Sequence, residues 1–122
     1  MTAGGRRTAP DYDGRTFRGV SAGGGAPDQR PTGHYHQQGE LVWAEFAGGP
    51  VRDGRLVGRC DPEGVLTIAY AQVLTDGRVV SGECVSTPEL LPDGRVRLCE
   101  RWRRGDGSTG VSWIEELPGP RS

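Results

Sequence analysis

The sequence predicts an all-β domain, built as an eight-stranded antiparallel up-and-down barrel of the calycin type. Acidic-residue–glycine pairs lie between strand-like segments and favour hairpin turns, because both residues tolerate a left-handed backbone. No segment shows a helical period across three turns. Eight sequential antiparallel strands would leave two exposed edges, and closing the sheet removes both. A two-sheet sandwich is the structural alternative. The pairs are Asp13-Gly14, Asp53-Gly54, Glu63-Gly64, Asp76-Gly77, Asp93-Gly94 and Asp106-Gly107.

The first half of the chain supplies four of the predicted strands. Residues 12–20 form the first, with Phe17 and Val20 as its apolar members. Residues 33–37, 41–46 and 54–60 follow as short runs of apolar and polar residues between turn residues.

The second half supplies the other four, at residues 65–74, 78–87, 95–103 and 110–117. Each is preceded by one of the acidic-residue–glycine pairs, and residues 95–103 alternate most clearly between two faces.

The length of 122 residues fits one domain. We expect a single barrel domain at residues 11–118, with a disordered polar tail at residues 1–10 and a short tail at residues 119–122. Residues 21–32 form a Gly/Pro-rich stretch without strand character. This stretch predicts a flexible loop, and loops of this length are usually functional or mobile.

Composition narrows the class of partner. The net charge of -1 gives no basic footprint, which argues against nucleic acid, and no stretch is long and apolar enough to span a bilayer. The three cysteines form no C-x-x-C pair, and the N-terminus has no apolar secretory segment. These features predict a cytoplasmic protein with reduced thiols.

Strand alternation predicts which side chains face inward. Because the arginines of residues 95–103 must face water, Glu100 turns inward beside Trp102. Tyr70 and Gln72 share the bulky face of residues 65–74, and Trp113 and Glu115 lie on the apolar face of residues 110–117.

Inward carboxylates favour a wet or ligand-holding cavity. An unpaired carboxylate in a dry core costs roughly several kcal/mol or takes up a proton. The alternative is that Glu100 or Glu115 lies near a barrel mouth and pairs with an arginine such as Arg15 or Arg18.

Both histidines of the chain, His34 and His36, lie two residues apart and would share one strand face. A His-x-His pair with Glu40 and Glu45 downstream resembles the first metal motif of cupins, although no third histidine follows. The other interpretation places the histidines at the barrel lining or rim, where a His beside a carboxylate can act as a general acid or base. We expect no bound cofactor.

Three strings, GHYHQQGELVWAEFAGG, STPELLPDGRVRL and ERWRRGDGSTG, are similar to those of a family of small uncharacterised bacterial proteins. The resemblance covers residues 12–116 and implies one compact β domain, a calycin-like or lipocalin-like barrel. The label N-acetylglutamate synthase is often attached to such sequences. The residues do not support it, because an acetyl-CoA site needs a Gly-rich turn that opens a helix, and none is found here.

Three functions remain open from the sequence. The first is a small-molecule-binding barrel. The second is a cofactor-independent cyclase, isomerase or lyase acting on a natural-product-like substrate. The third is an interaction protein that uses its arginine-rich face, and a homodimer is also left open. The candidate catalytic residues are Glu100, His34, His36 and Tyr70. The candidate ligand-binding residues are Trp43, Glu45, Gln72, Trp102, Trp113 and Glu115.

Overall fold

The computed structural model describes residues 9–20 and 30–118, whose strands form one closed antiparallel barrel. Each strand pairs with its neighbours in sequence, and the first pairs with the last. The predicted up-and-down barrel is therefore confirmed, and the sandwich is wrong. The strands are β1 Thr16–Val20, β2 Thr32–Gln38, β3 Leu41–Gly48, β4 Val51–Cys60, β5 Leu66–Leu74, β6 Val79–Leu90, β7 Val96–Arg104 and β8 Thr109–Glu116.

Most residues of the predicted tails and of the predicted loop are not described by the structure. Residues 1–8, 21–29 and 119–122 lie outside the described part of the chain, so the tails and the flexible loop stay predictions. The last residue of the predicted loop, Thr32, is the first residue of β2.

Three hairpin turns repeat one hydrogen-bonding pattern, after β5, β6 and β7. In the first, the Gly77 amide donates to the Leu74 carbonyl at 2.9 Å, and the Arg78 amide donates to the Asp76 carboxylate at 3.0 Å. Gly77 has a φ of 91°, which favours glycine. The hydrogen bonds from Arg78 hold the pKa of Asp76 below its usual range. Here the acidic-residue–glycine pairs form turns as predicted.

Asp53-Gly54 is not a turn, contrary to the prediction. β4 runs straight through it, and the chain reverses at Gly48 and Gly49, where φ is 132° and 55°. Gly54 faces inward, and a Cβ atom there would collide with the ring of Phe46 on the neighbouring strand. The glycine therefore makes room for an aromatic side chain.

One end of the barrel, where β1 begins and β8 ends, is filled by packed side chains, and we call it the plugged end. Tyr12 is fully buried there, and its hydroxyl donates to the Gly64 carbonyl at 2.6 Å. Phe17 packs edge-on against Tyr35 with ring centroids 5.0 Å apart. The other large buried side chains are Val42, Leu66, Val96 and Leu98.

An ion pair at the plugged end joins the segment before β1 to β8. Arg15 Nη1 lies 2.6 Å from Glu116 Oε1, and the Val96 amide donates to the same oxygen at 3.1 Å. Glu116 is only 2% exposed. The expected pairing of an inward glutamate with Arg15 therefore occurs one residue after Glu115.

Candidate functional site

The opposite end of the barrel, where β7 ends and β8 begins, contains a chamber of about 330 Å³. This volume lies at the lower end of the range for small-ligand pockets. Its walls are mainly apolar, with a few polar groups. The residues that line it include Phe17, Tyr35, Phe46, Leu56, Ile68, Tyr70, Gln72, Cys84, Glu100, Trp102, Arg104, Ser112 and Ile114.

Glu100 lies at the middle of β7 and faces into the chamber. Its register partners on β6 and β8 are Ser86 and Ser112, and the Ser112 hydroxyl donates to Glu100 Oε1 at 3.3 Å. Burial raises the pKa of Glu100 to about 7, opposed by the hydrogen bond from Ser112. Its carboxyl group can therefore either donate or accept a proton near neutral pH.

Tyr35 and Cys84 stand near Glu100 and remain neutral. Burial, and then the charge of Glu100, raise the pKa of Tyr35 well above its usual range. The same two effects raise the pKa of Cys84 to about 11, and its Sγ lies 3.4 Å from Ser86 Oγ. Cys84 is therefore not an activated thiolate, and this deep part of the chamber offers hydrogen-bonding groups.

Two aromatic rings form the upper walls by lying against glycines on neighbouring strands. Trp102 faces Gly110 across the β7–β8 ladder, and Phe46 faces Gly54 across the β3–β4 ladder. A Cβ atom on either glycine would collide with the ring. The missing side chains let both rings lie flat along the wall.

Five of the predicted site residues line or border the chamber, four of them from the inner face of the barrel: Glu100, Tyr70, Gln72 and Trp102, with Trp113 at the open end. The inward direction of the first four follows from the alternation of β5 and β7. Their roles in catalysis or ligand binding stay predictions.

His34, His36, Trp43 and Glu45 lie on the outer face of β2 and β3, so their expected place inside the barrel was wrong. His36 Nε2 donates to Glu45 Oε1 at 2.8 Å and stacks on Trp43 with centroids 5.4 Å apart. The hydrogen bond from His36 lowers the pKa of Glu45. His34 Nδ1 lies 3.2 Å from Thr16 Oγ1. The inner face of these strands is taken by Gly33, Tyr35, Val42 and Ala44.

The predicted inner face of β8 was also wrong. Trp113 pairs with Cys99, and Glu115 pairs with Arg97, both on the outer face of β7. Glu115 Oε2 accepts a hydrogen bond from Arg97 Nη1 at 3.4 Å. Trp113 is 42% exposed and borders the open end of the chamber.

The described residues do not supply the metal ligands that the cupin-like alternative requires. Among residues 9–20 and 30–118, no group of three His, Cys, Asp or Glu side chains could hold a metal ion. The same ranges contain no helix long and apolar enough to cross a membrane.

Several chamber residues were missed from the sequence, among them the polar residues Tyr35, Ser112 and Arg104. Tyr35 is flanked by two polar histidines, and this alternation could have placed it inside. Arg104 follows Trp102 by two residues, so extending the alternation of β7 by one residue would have turned it inward.

The free energy of unfolding is expected to fall as the pH rises from about 4.5 to about 7. In the folded protein the pKa of Glu100 is raised from 4.5 to about 7, so in this window the folded state binds more protons than the unfolded state. This stabilising contribution is complete below the lower value and lost above the upper one. Denaturant unfolding at about pH 5 and about pH 8 should show a smaller difference for Glu100→Gln than for the parent protein. Equal differences in the two proteins would contradict the assignment.

Comparison with known proteins identifies the family. The family model described as "Avidin-like protein" matches residues 10–117, which is most of the chain, and the chain belongs to this family. Its barrels bind small ligands. No curated protein and no solved structure matches the chain.

Proposed function

We propose that this member of the avidin-like family binds one small organic molecule inside the chamber. The main support for this proposal is a cavity of about 330 Å³ whose mostly apolar wall contains several polar groups that point into it. Eight-stranded barrels are just wide enough to hold one small ligand, as streptavidin does. A barrel filled by its own side chains would leave no such space.

Three polar side chains of the chamber have no hydrogen-bond partner in the described part of the protein. Among the described residues, no hydrogen bond joins the side chains of Tyr35, Tyr70 or Gln72 to another group. Buried or half-buried polar groups are normally satisfied by protein, water or ligand. These three therefore present donors and acceptors toward whatever occupies the chamber.

Filling the chamber is expected to weaken the binding of a ligand inside it. Leu56 lines it, whereas the next residue, Val57, is 51% exposed on the outer face. Leu56→Trp should lower the affinity for a chamber ligand by about tenfold or more, since the added ring occupies ligand volume. Val57→Trp is the matched control and should bind as the parent protein does.

Titration calorimetry with a panel of small apolar and aromatic compounds would test this prediction. Biotin belongs in the panel, because streptavidin binds it extremely tightly. A compound that binds the parent protein, Leu56→Trp and Val57→Trp with equal affinity must bind outside the chamber. A panel without any hit that Leu56→Trp weakens would count against the proposal.

A second candidate is a cofactor-independent cyclase, isomerase or lyase in the same chamber. The favouring observation is that Glu100 has a pKa of about 7 and faces the cavity, as a general acid or base requires. Tyr70 lines the same wall, whereas His34 and His36 point away from it. Binding that persists in Glu100→Gln while turnover is lost would favour catalysis over simple binding.

A homodimer through the outer face is also proposed. Val57, Val85 and Val111 are each at least 42% exposed and border one shallow surface depression on β4 to β8. An exposed apolar patch of this kind often marks a protein contact. The molar mass from light scattering would decide between a monomer and a dimer.

A cytoplasmic location likewise stays a proposal. It is supported by the three cysteines, Cys60, Cys84 and Cys99, which are all free thiols in the structure. Fractionation of the source cells would test it.

A further inference from the structure

Among the described residues that line the chamber, Glu100 is the only acidic one. It lies at the middle of β7 and is half-buried, and because its side chain points inward, its accessible surface faces the chamber. In the free protein, water that enters the chamber can therefore solvate the carboxyl group. A ligand in the chamber would displace that water.

The strands beside Glu100 offer it little in place of water. Its register partners are Ser86 and Ser112, and the Ser112 hydroxyl donates to Glu100 Oε1 at 3.3 Å. Ser86 is fully buried, and its Oγ lies 3.4 Å from Cys84 Sγ. One neutral hydroxyl is therefore the hydrogen-bond donor that the described residues supply to this carboxyl group.

No positively charged side chain of the described residues faces Glu100 from the other strands. The chamber residues of β1, β3, β4 and β8 contain no titratable group. The titratable residues that line the chamber from the remaining strands are acids, which cannot carry a positive charge. They are Tyr35 on β2, Tyr70 on β5 and Cys84 on β6.

Two arginines border the chamber, but both lie at its open end. Arg104 is four residues from Glu100 on the same strand, which corresponds to about 13 Å between their Cα atoms. Its Cζ atom lies 5.0 Å from the centroid of the Trp102 ring. Arg30 donates to the Gly19 carbonyl at 3.0 Å. Neither guanidinium is therefore placed to hold Glu100 as a carboxylate.

These surroundings couple a proton to the occupancy of the chamber. Burial raises the pKa of Glu100 to about 7 in the free protein. An uncharged ligand that displaces water should raise this pKa further, because loss of water disfavours the charged form. Above pH 7 the protein must then take up a proton when the ligand binds. Since such coupling is reciprocal, loss of the proton must weaken the ligand.

Resting on the proposed function, we propose that Glu100 is a proton switch of the chamber: an uncharged ligand binds together with a proton on this carboxyl group and is released when the proton is lost. The protonated acid offers the ligand both an O–H donor and an acceptor, whereas the carboxylate only accepts. The switch acts across neutral pH, where a carboxyl group of ordinary pKa stays ionised throughout.

Calorimetry at about pH 6 and about pH 8 tests the switch. The probes are 2-naphthamide, which is uncharged and does not titrate in this range, and every uncharged panel compound whose binding Leu56→Trp weakens. Affinity is expected to be about tenfold lower at the higher pH, because the unliganded protein has then lost most of the proton. Titrations in phosphate and in Tris, which differ in ionisation enthalpy, should show an uptake of about one proton per ligand at the higher pH.

Two variants locate the proton. Glu100→Gln keeps the shape of the protonated acid and cannot ionise, so its affinity should be the same at both pH values and it should take up no proton. Glu83→Gln removes a carboxylate from the exposed outer face of β6 and should keep the full pH dependence. Melting curves would confirm that both variants are folded.

A measurement without ligand tests the same residue. Carbon-13 NMR of protein labelled at its glutamate carboxyl groups identifies Glu100 by the signal that Glu100→Gln lacks. Its titration midpoint is expected near pH 7. A midpoint near 4.5, the ordinary value, would overturn the switch whether or not any probe binds.

The binding results separate the switch from the proposed function. Equal affinity of the parent protein at the two pH values would overturn the switch, as would a pH dependence that survives Glu100→Gln. If Leu56→Trp weakens probes that bind without proton uptake, the binding chamber stands and only the switch is removed. If no uncharged compound binds in the chamber, both proposals fail.

Discussion

Glu116→Ala is expected to lower the free energy of unfolding by about 3–5 kcal/mol, as measured for other buried ion pairs that lose one partner. Glu116 is 2% exposed and accepts hydrogen bonds from Arg15 at 2.6 Å and from the Val96 amide at 3.1 Å. The substitution leaves a guanidinium, which is 21% exposed, and a buried amide without this acceptor. Chemical denaturation at neutral pH measures the change.

The neighbouring residue supplies a matched control. Glu115 is 26% exposed, lies on the outer face and pairs with Arg97 at 3.4 Å. Exposed ion pairs contribute little, so Glu115→Ala should cost about 1 kcal/mol or less. Similar losses for the two variants would show that the ion pair at the plugged end is not a major source of stability.

Phe17→Ala is expected to be equally damaging, with a loss of about 3–5 kcal/mol. Phe17 is 1% exposed and contacts both Tyr12 and Tyr35, with ring centroids 6.3 and 5.0 Å away. Its removal opens a cavity between the plugged end and the chamber, because Phe17 also lines the chamber. Thermal unfolding and urea unfolding should both report the loss.

Val20→Ala tests whether this loss is specific to the core. Val20 lies on the same strand and is 38% exposed. Substitutions at such surface positions usually change stability by about 0.5 kcal/mol or less. A small effect at Phe17, close to that at Val20, would mean that the plugged end tolerates a void and is not the centre of the fold.

The overall fold could be predicted because many local features agree. Turn residues recur between alternating segments, and five of the six acidic-residue–glycine pairs have the expected left-handed glycine. The turn prediction was wrong for Asp53-Gly54, because Gly54 makes room for the Phe46 ring on the neighbouring strand. That role depends on a contact between strands and not on the adjacent sequence. An acidic-residue–glycine pair can therefore form a turn or lie within a strand beside a large ring, and the local sequence does not distinguish the two.

The site was predicted only where one strand face is unambiguous. The arginines at 97, 101 and 103 must face water, so the alternate residues Glu100 and Trp102 face the interior. β8 carries large apolar residues and a glutamate on both faces, so its direction depends on its register against β7, which sets Ser112 opposite Glu100. For β2 and β3, the outward His36 stacks on Trp43 and bonds to Glu45. This contact between neighbouring strands cannot be read from the His-x-His spacing, which led to the metal and catalytic interpretations.

The joining of β1 to β8 has a practical consequence for handling the protein. The chain enters β1 at Thr16 and leaves β8 at Glu116, and both points lie at the plugged end. The chamber opens at the other end, beside Arg104. A tether attached beside the start of β1 or the end of β8 thus approaches the barrel from its base, so that protein fixed to a sensor surface in this way would present its opening to the flowing solution.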